Sequence, residues 1–128
     1  MRPIFLVVDP PDPESLSTRK LVLESAMFNV LTATSLNEGR EIVKLIPVSA
    51  MIIHEQAFRD ITPETVITEL KAIRPDTPVL VLAVRPSPIV GATVVLSSHD
   101  PIELVRRLRE MFNLPANPAL VERAPRGR

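Results

Sequence analysis

The chain alternates short, mainly apolar runs with segments whose apolar residues recur at helical spacing. Runs of this kind, four to seven residues long and bounded by polar or proline-rich segments, are typical of strands buried on both faces of a parallel sheet. Five such strands are predicted: Pro3 to Val8, Asn29 to Ala33, Ser49 to Glu55, Val79 to Val84 and Ala92 to Ser97.

Between the strands, four segments have the pattern of amphipathic helices. Ser35 and Glu38 have the spacing of a capping box, Thr62 precedes a proline at a first helical position, and Asp100 provides the cap of the last helix. The predicted helices run from Ser15 to Met27, from Leu36 to Ile46, from Pro63 to Ile73 and from Pro101 to Phe112. On the first helix, Arg19, Lys20 and Glu24 are the charged residues beside the apolar ones, and on the last helix the residues expected to point outward are Arg106, Arg107, Arg109 and Glu110.

This alternation predicts an α/β fold with a doubly wound five-stranded parallel sheet. Only the segment from Arg85 to Gly91 separates the last two strands, and it contains Pro86 and Pro88. A parallel connection normally takes a dozen or more residues, and proline opposes helix formation. The fourth crossover helix is therefore expected to be shortened or missing.

Composition narrows the class of protein. At 128 residues the chain is expected to form one domain over residues 1–112, followed by a flexible tail over residues 113–128. The absence of cysteine excludes disulfides, thiolate zinc sites and a cysteine nucleophile. Fifteen basic residues balance fifteen acidic ones, so no net charge attracts the chain to nucleic acid or to an anionic membrane. No apolar run is long enough to cross a membrane, and we expect a cytoplasmic protein.

Several segments resemble the receiver domain of bacterial response regulators, over roughly Ile4 to Phe112. The resemblance is carried by Phe5 to Asp9 in the first strand, by Leu70 to Val81, by Gly91-Ala92 before the last strand, and by Asp100 to Leu104 at the start of the last helix. It implies a flavodoxin-like sheet with strand order 2-1-3-4-5 and a role in two-component signalling.

Receiver domains transfer a phosphoryl group onto an aspartate at the end of strand 3, with the help of an acidic pair, a hydroxyl, a lysine and an aromatic residue. Matched position by position, this sequence keeps Asp9 of the acidic pair and replaces the other groups. The replacements are Pro10 for the second acid, His54 for the acceptor, Ala83 for the hydroxyl, Ser98 for the lysine and Val95 for the aromatic residue.

The absence of two residue types supports this comparison even if the alignment is shifted by a residue. The chain has no aspartate between Asp12 and Asp60 and no lysine after Lys71. Without an acceptor carboxylate no acyl phosphate forms, and one acid offers too few oxygens for a hard divalent cation. We therefore predict no phosphorylation, no metal site, no cofactor and no enzymatic activity. Asp60 as a substitute acceptor is disfavoured because it lies in a loop away from Asp9.

Histidine titrates near neutral pH, so His54 is open to several interpretations: a phosphohistidine, a metal ligand together with His99, or a pH switch. The favoured interpretation is a structural histidine paired with Asp9 across the strand ends. Glu55, beside it, is expected to be solvated. Ser97 and Ser98 have no general base arranged around them, which disfavours a nucleophilic serine.

The leading hypothesis is a pseudo-receiver, a phosphorylation-independent module that binds a signalling protein or a second copy of itself. With the fourth helix lost, an apolar patch is expected to remain uncovered. The candidate interface residues are Pro88, Ile89, Val90, Arg106 and Arg109.

The alternative hypothesis is a flavodoxin-like domain that binds a nucleotide or another small molecule. No glycine-rich fingerprint follows the first strand, because the only glycines are Gly39, Gly91 and Gly127. Tryptophan and tyrosine are absent, which leaves only phenylalanine for stacking on a flavin. Binding of nucleic acid through the arginine-rich tail is disfavoured because no DNA-binding unit is recognised.

Overall fold

The computed structural model describes residues 3–9, 13–59 and 61–114, with only the backbone described for residues 13–18. Strands and helices alternate along this part of the chain, apart from one short 3₁₀ helix and one connection without a helix. The elements are β1 (Ile4–Val8), α1 (Pro13–Ser25), β2 (Asn29–Ala33), α2 (Leu36–Leu45), β3 (Ala50–His54), the 3₁₀ helix (Glu55–Phe58), α3 (Pro63–Ile73), β4 (Val79–Ala83), β5 (Val94–Ser97) and α4 (Pro101–Met111).

All five strands are parallel and lie in the order β2-β1-β3-β4-β5. The doubly wound sheet predicted from the sequence is confirmed. The chain moves outward from β1 to β2 and then crosses back to β3 on the other side of β1. A crevice opens where the strand order reverses in this way, outside the carboxyl ends of β1 and β3.

The sheet is buried on both faces because its strands are apolar at consecutive positions. In β1, Leu6 and Val8 contribute to one core cluster, and Phe5 and Val7 contribute to the other. Helices α2 and α3 cover the first cluster, and α1 and α4 cover the second. The buried residues on these helices are Leu36, Val43, Val66, Ile67 and Leu70 for the first cluster and Leu23, Leu104 and Leu108 for the second.

The helix starts are set by local hydrogen bonds to the first turn. The Ser35 side chain accepts from the Glu38 amide at 3.1 Å, and the Glu38 carboxylate accepts from the Thr34 amide at 2.7 Å. Asp100 accepts from the Glu103 amide at 3.0 Å. Thr62 precedes α3 as predicted, but its side chain makes no capping hydrogen bond. Helix α1 is shifted from the prediction, beginning at Pro13 and ending at Ser25.

No helix lies between β4 and β5, as the sequence predicts. The connection instead turns over α3, with Ile89 and Ala92 packed against the first core cluster. Gly91 has φ of +90°, and a Cβ added there would lie 3.0 Å from Cγ2 of Ile67. Glycine therefore allows both the left-handed turn and the close approach to α3. Val90, at the tip, is 79% exposed.

The predicted tail begins at residue 113, and its residues 115–128 lie outside the described part of the chain. Phe112 and Leu114 both pack against the second core cluster. The Leu114 amide donates to the Arg109 carbonyl at 2.8 Å, and Asn113 adopts φ of 53° at the helix end. Contacts with the second core cluster therefore continue to Leu114, and the flexible tail stays a prediction. Among the described residues, no helix combines the length and apolar character that crossing a membrane requires.

Candidate functional site

Four of the predicted site residues meet at the carboxyl end of the sheet. The register pairs Val8 with Ile53, so Asp9 follows β1 beside His54 at the end of β3. Ala83 ends β4, and its carbonyl accepts from the Ser98 amide at 2.9 Å. Asp9 is 1% exposed and His54 is 9% exposed. Pro10, the fifth residue of this set, lies outside the described residues.

The carboxylate of Asp9 forms an ion pair with the guanidinium of Arg19, on α1. The Arg19 side chain is only 13% exposed, and its second terminal nitrogen lies 3.5 Å from the Ser98 carbonyl. Burial lowers the pKa of Arg19, yet a guanidinium remains charged at physiological pH. One internal cation therefore bridges the ends of β1 and β5 across the crevice.

The predicted pairing of His54 with Asp9 is wrong. His54 Nδ1 instead accepts a hydrogen bond from the Gln56 amide at 3.2 Å and so caps the 3₁₀ helix. Burial lowers the pKa of His54; the charges of Arg19 and His99 lower it further, whereas Glu55 raises it. A neutral imidazole suits this position, because only an unprotonated Nδ1 accepts from an amide.

Glu55 is partly exposed, and it also makes a contact that the sequence did not predict. Its carboxylate accepts from the Val84 amide at 2.6 Å. This bond joins the segment after β3 to the segment after β4. His54 and Glu55, adjacent in sequence, thus hold the backbone after β3 and after β4.

Arg19 is the site residue that sequence reasoning missed. It was read as part of the charged face of an amphipathic helix, beside Lys20 and Glu24. A signal was available, because a carboxylate placed after a fully buried strand requires a cation or several hydrogen-bond donors. The first arginine after Asp9 in the sequence is Arg19, in the second turn of α1.

The donor set in the described part of the crevice does not fit the divalent cation that the receiver resemblance implies. Within residues 3–9, 13–59 and 61–114, no group of three or more His, Asp or Glu side chains is arranged to hold a metal ion. Asp9 already faces a guanidinium, and Mg²⁺ prefers an octahedron of oxygen ligands. Asp60, considered above as a substitute acceptor, lies outside the described residues.

The candidate interface residues do not form one uniform surface. Pro88 and Val90 are exposed, whereas Ile89 is half-buried against the core. The Arg106 side chain is 64% exposed and pairs with Glu103. Arg109 was predicted to point outward, but it donates to the Ala26 carbonyl at 3.0 Å and lies 5.3 Å from the ring centre of Phe28. Arg109 therefore fastens α4 to the segment between α1 and β2.

Neither a model of a known family nor a curated protein sequence matches this chain. Solved structures do match. A CheY-like receiver domain protein from Methanospirillum hungatei JF-1 superposes with a TM-score of 0.76 at 17% identity, covering 88% of this chain and 95% of that one.

Two further response regulators are similar to this chain. One from Thermotoga maritima has a TM-score of 0.74 at 21% identity, over 88% of this chain and 99% of its own. One from Burkholderia pseudomallei, determined with a phosphorylated aspartic acid, a calcium ion and citrate, has a TM-score of 0.63 at 20% identity, over 88% of this chain and 75% of its own. With this strand order and this similarity, the chain has the fold of response-regulator receiver domains.

Proposed function

We propose that this chain is a phosphorylation-independent receiver-like domain that acts in bacterial signal transduction by binding another protein. The observation that carries the proposal is the buried ion pair between Asp9 and Arg19, in a crevice where His54 is the last residue of β3. The fold supports the signalling class, and the substitutions in the crevice support independence from phosphorylation.

Phosphoryl transfer to a receiver requires an acceptor carboxylate and positive charge placed around the transferred group. At the acceptor position His54 presents an imidazole whose Nδ1 is already engaged. Ala83 has no hydroxyl, and Ser98 has no charge. A metal ion would have to displace the guanidinium from Asp9, which would leave a second buried cation uncompensated. The crevice therefore supports a structural role better than a catalytic one.

The proposed mode of action is recognition through the surface that the missing helix leaves. Pro88 and Val90 are exposed there, and Val84, at the end of β4, is 49% exposed. Neighbouring apolar side chains that remain accessible are common at protein interfaces. The partner is a signalling protein or a second copy of this chain.

Incubation with a small-molecule phosphodonor and Mg²⁺, followed by intact-mass spectrometry, tests the proposal. A receiver domain that carries an acceptor aspartate serves as the positive control. We expect a phosphate adduct on the control and none on this chain. An adduct on this chain would refute phosphorylation independence. Its loss in a His54→Gln variant would assign it to a phosphohistidine.

A further inference from the structure

A groove of about 520 Å³ lies between the start of α3 and the connection that replaces the fourth helix. We call it the α3 groove and define it by its lining residues. Its floor includes Phe58, Ile89 and Val95, and its rim includes Arg59, Glu64 and Arg85. Its volume is in the range that accommodates a few side chains of a bound molecule.

Apolar side chains form the floor of the α3 groove. Phe58 and Ala83 are buried, and Ile89 and Val95 are half-buried against the first core cluster. A second groove of about 350 Å³ shares Ser87, Pro88, Ile89 and Val95, so the connection is a ridge with a groove on each side. A full crossover helix would cover this surface, and the short connection cannot.

The charged side chains on the rim of the α3 groove differ in whether they already have a partner. Arg59 and Arg85 are both exposed, and neither forms an ion pair with a described acidic residue. The carboxylate of Glu55 is engaged by the Val84 amide. Glu64 lies in the first turn of α3, where the helix dipole stabilises a negative charge. Glu64 also forms no ion pair with a described basic residue, so the described rim carries two unpaired guanidinium groups and one unpaired carboxylate. This excess of unpaired positive charge favours acidic groups from outside.

We infer that the α3 groove binds an acidic segment of a partner protein. The inference rests on the proposed function and adds the chemistry of the partner. One or two apolar side chains of the segment occupy the floor above Phe58 and Ile89. Flanking carboxylates pair with Arg59 and Arg85, whose planar guanidinium groups match a carboxylate in bidentate geometry. Aliphatic anchors give affinity, and the arginines give specificity for acidic sequences.

Fluorescence anisotropy of the full chain with a labelled synthetic peptide tests the inference. The peptide has a central pair of leucines flanked by glutamates; one control peptide carries lysines instead of glutamates, and another carries serines instead of leucines. We expect binding of the first peptide only, weakening as salt is added. Arg59→Glu and Arg85→Glu should each weaken binding about tenfold, equivalent to ~1.4 kcal/mol. Lys44→Glu, exposed on α2, is the matched control and should leave binding unchanged.

Several outcomes would overturn the inference. These are no binding of the acidic peptide, equal effects of Lys44→Glu and the two groove variants, or tighter binding of a labelled DNA oligonucleotide that the groove arginines control. Light scattering that shows a dimer converted to monomer by Arg85→Glu would assign the groove to a second copy instead. The peptide-binding experiment and the phosphodonor experiment can fail independently of each other. The phosphodonor assay tests whether the crevice is phosphorylated and requires no peptide.

Discussion

Replacing Arg19 by methionine is predicted to destabilise the protein severely, although the residue was expected from the sequence to lie on a charged helix face. Methionine keeps much of the length and the apolar stem of arginine but removes the charge. Asp9, which is 1% exposed, would then be a buried carboxylate without its cation. Removing one partner of a buried ion pair costs about 3–5 kcal/mol.

That loss is large compared with a total stability on the order of 10 kcal/mol for a domain of this size. With a denaturant dependence of about 2 kcal/mol per molar urea, it moves the unfolding midpoint down by about 1.5–2.5 M. Lys20→Met is the matched control, since Lys20 pairs with Glu24 in an ion pair with both side chains nearly half exposed. Exposed pairs of this kind contribute less than about 1 kcal/mol.

Urea titrations followed by circular dichroism measure both variants. The double variant Asp9→Asn with Arg19→Met should lose less stability than Arg19→Met alone, because it leaves no buried charge. Lowering the pH should also rescue Arg19→Met, since an unpaired buried carboxyl has a raised pKa and its folded form takes up the proton first. Equal midpoints for Arg19→Met and Lys20→Met would refute the account of the crevice.

Three further predictions concern other parts of the molecule. Because burial lowers the pKa of His54, the contribution of neutral His54 to stability is present above the unfolded pKa and is lost as the pH falls through the folded pKa. Thermal melts across pH 5–8 should show this loss, and the melting temperature of His54→Asn should depend less on pH. Ser35→Ala should cost about 1 kcal/mol in urea unfolding by removing the cap of α2, whereas Thr62→Ala, which removes no capping bond, should cost less than half of that. Gly91→Ala should cost at least about 1 kcal/mol by the same assay, because φ is +90° and the new Cβ would lie 3.0 Å from Cγ2 of Ile67; an unchanged midpoint would contradict the strained turn.

The strands were predictable because each is a compact apolar run, and their order was implied by the resemblance to receiver domains. The run Ala50–His54 is buried at every position, as a central parallel strand must be. The missing fourth helix was equally predictable, because Pro86 and Pro88 lie in a connection too short for one. The start of α1 was misplaced by two residues, since its apolar spacing is irregular and its boundary depends on the preceding prolines.

The site was only partly predictable. The backbone positions of Asp9, His54, Ala83 and Ser98 follow directly from strand ends in a parallel sheet. Their hydrogen-bond and ion-pair partners lie on other helices and strands. The hydrophobic pattern of the sequence does not show how far a side chain reaches toward another element. Arg19 reaches inward from a helix face that also carries exposed charges, and Glu55 turns back onto the Val84 amide.

Carbon-13 NMR of the aspartate carboxyl groups during titration with Mg²⁺ determines whether Arg19 takes the place of a metal ion at Asp9. Asp76, exposed in the turn before β4, reports any general effect of the added salt. The account predicts that the Asp9 resonance follows Asp76, with no saturable shift into the millimolar range. A saturable shift of Asp9 alone would show that the crevice binds the metal and would contradict the account.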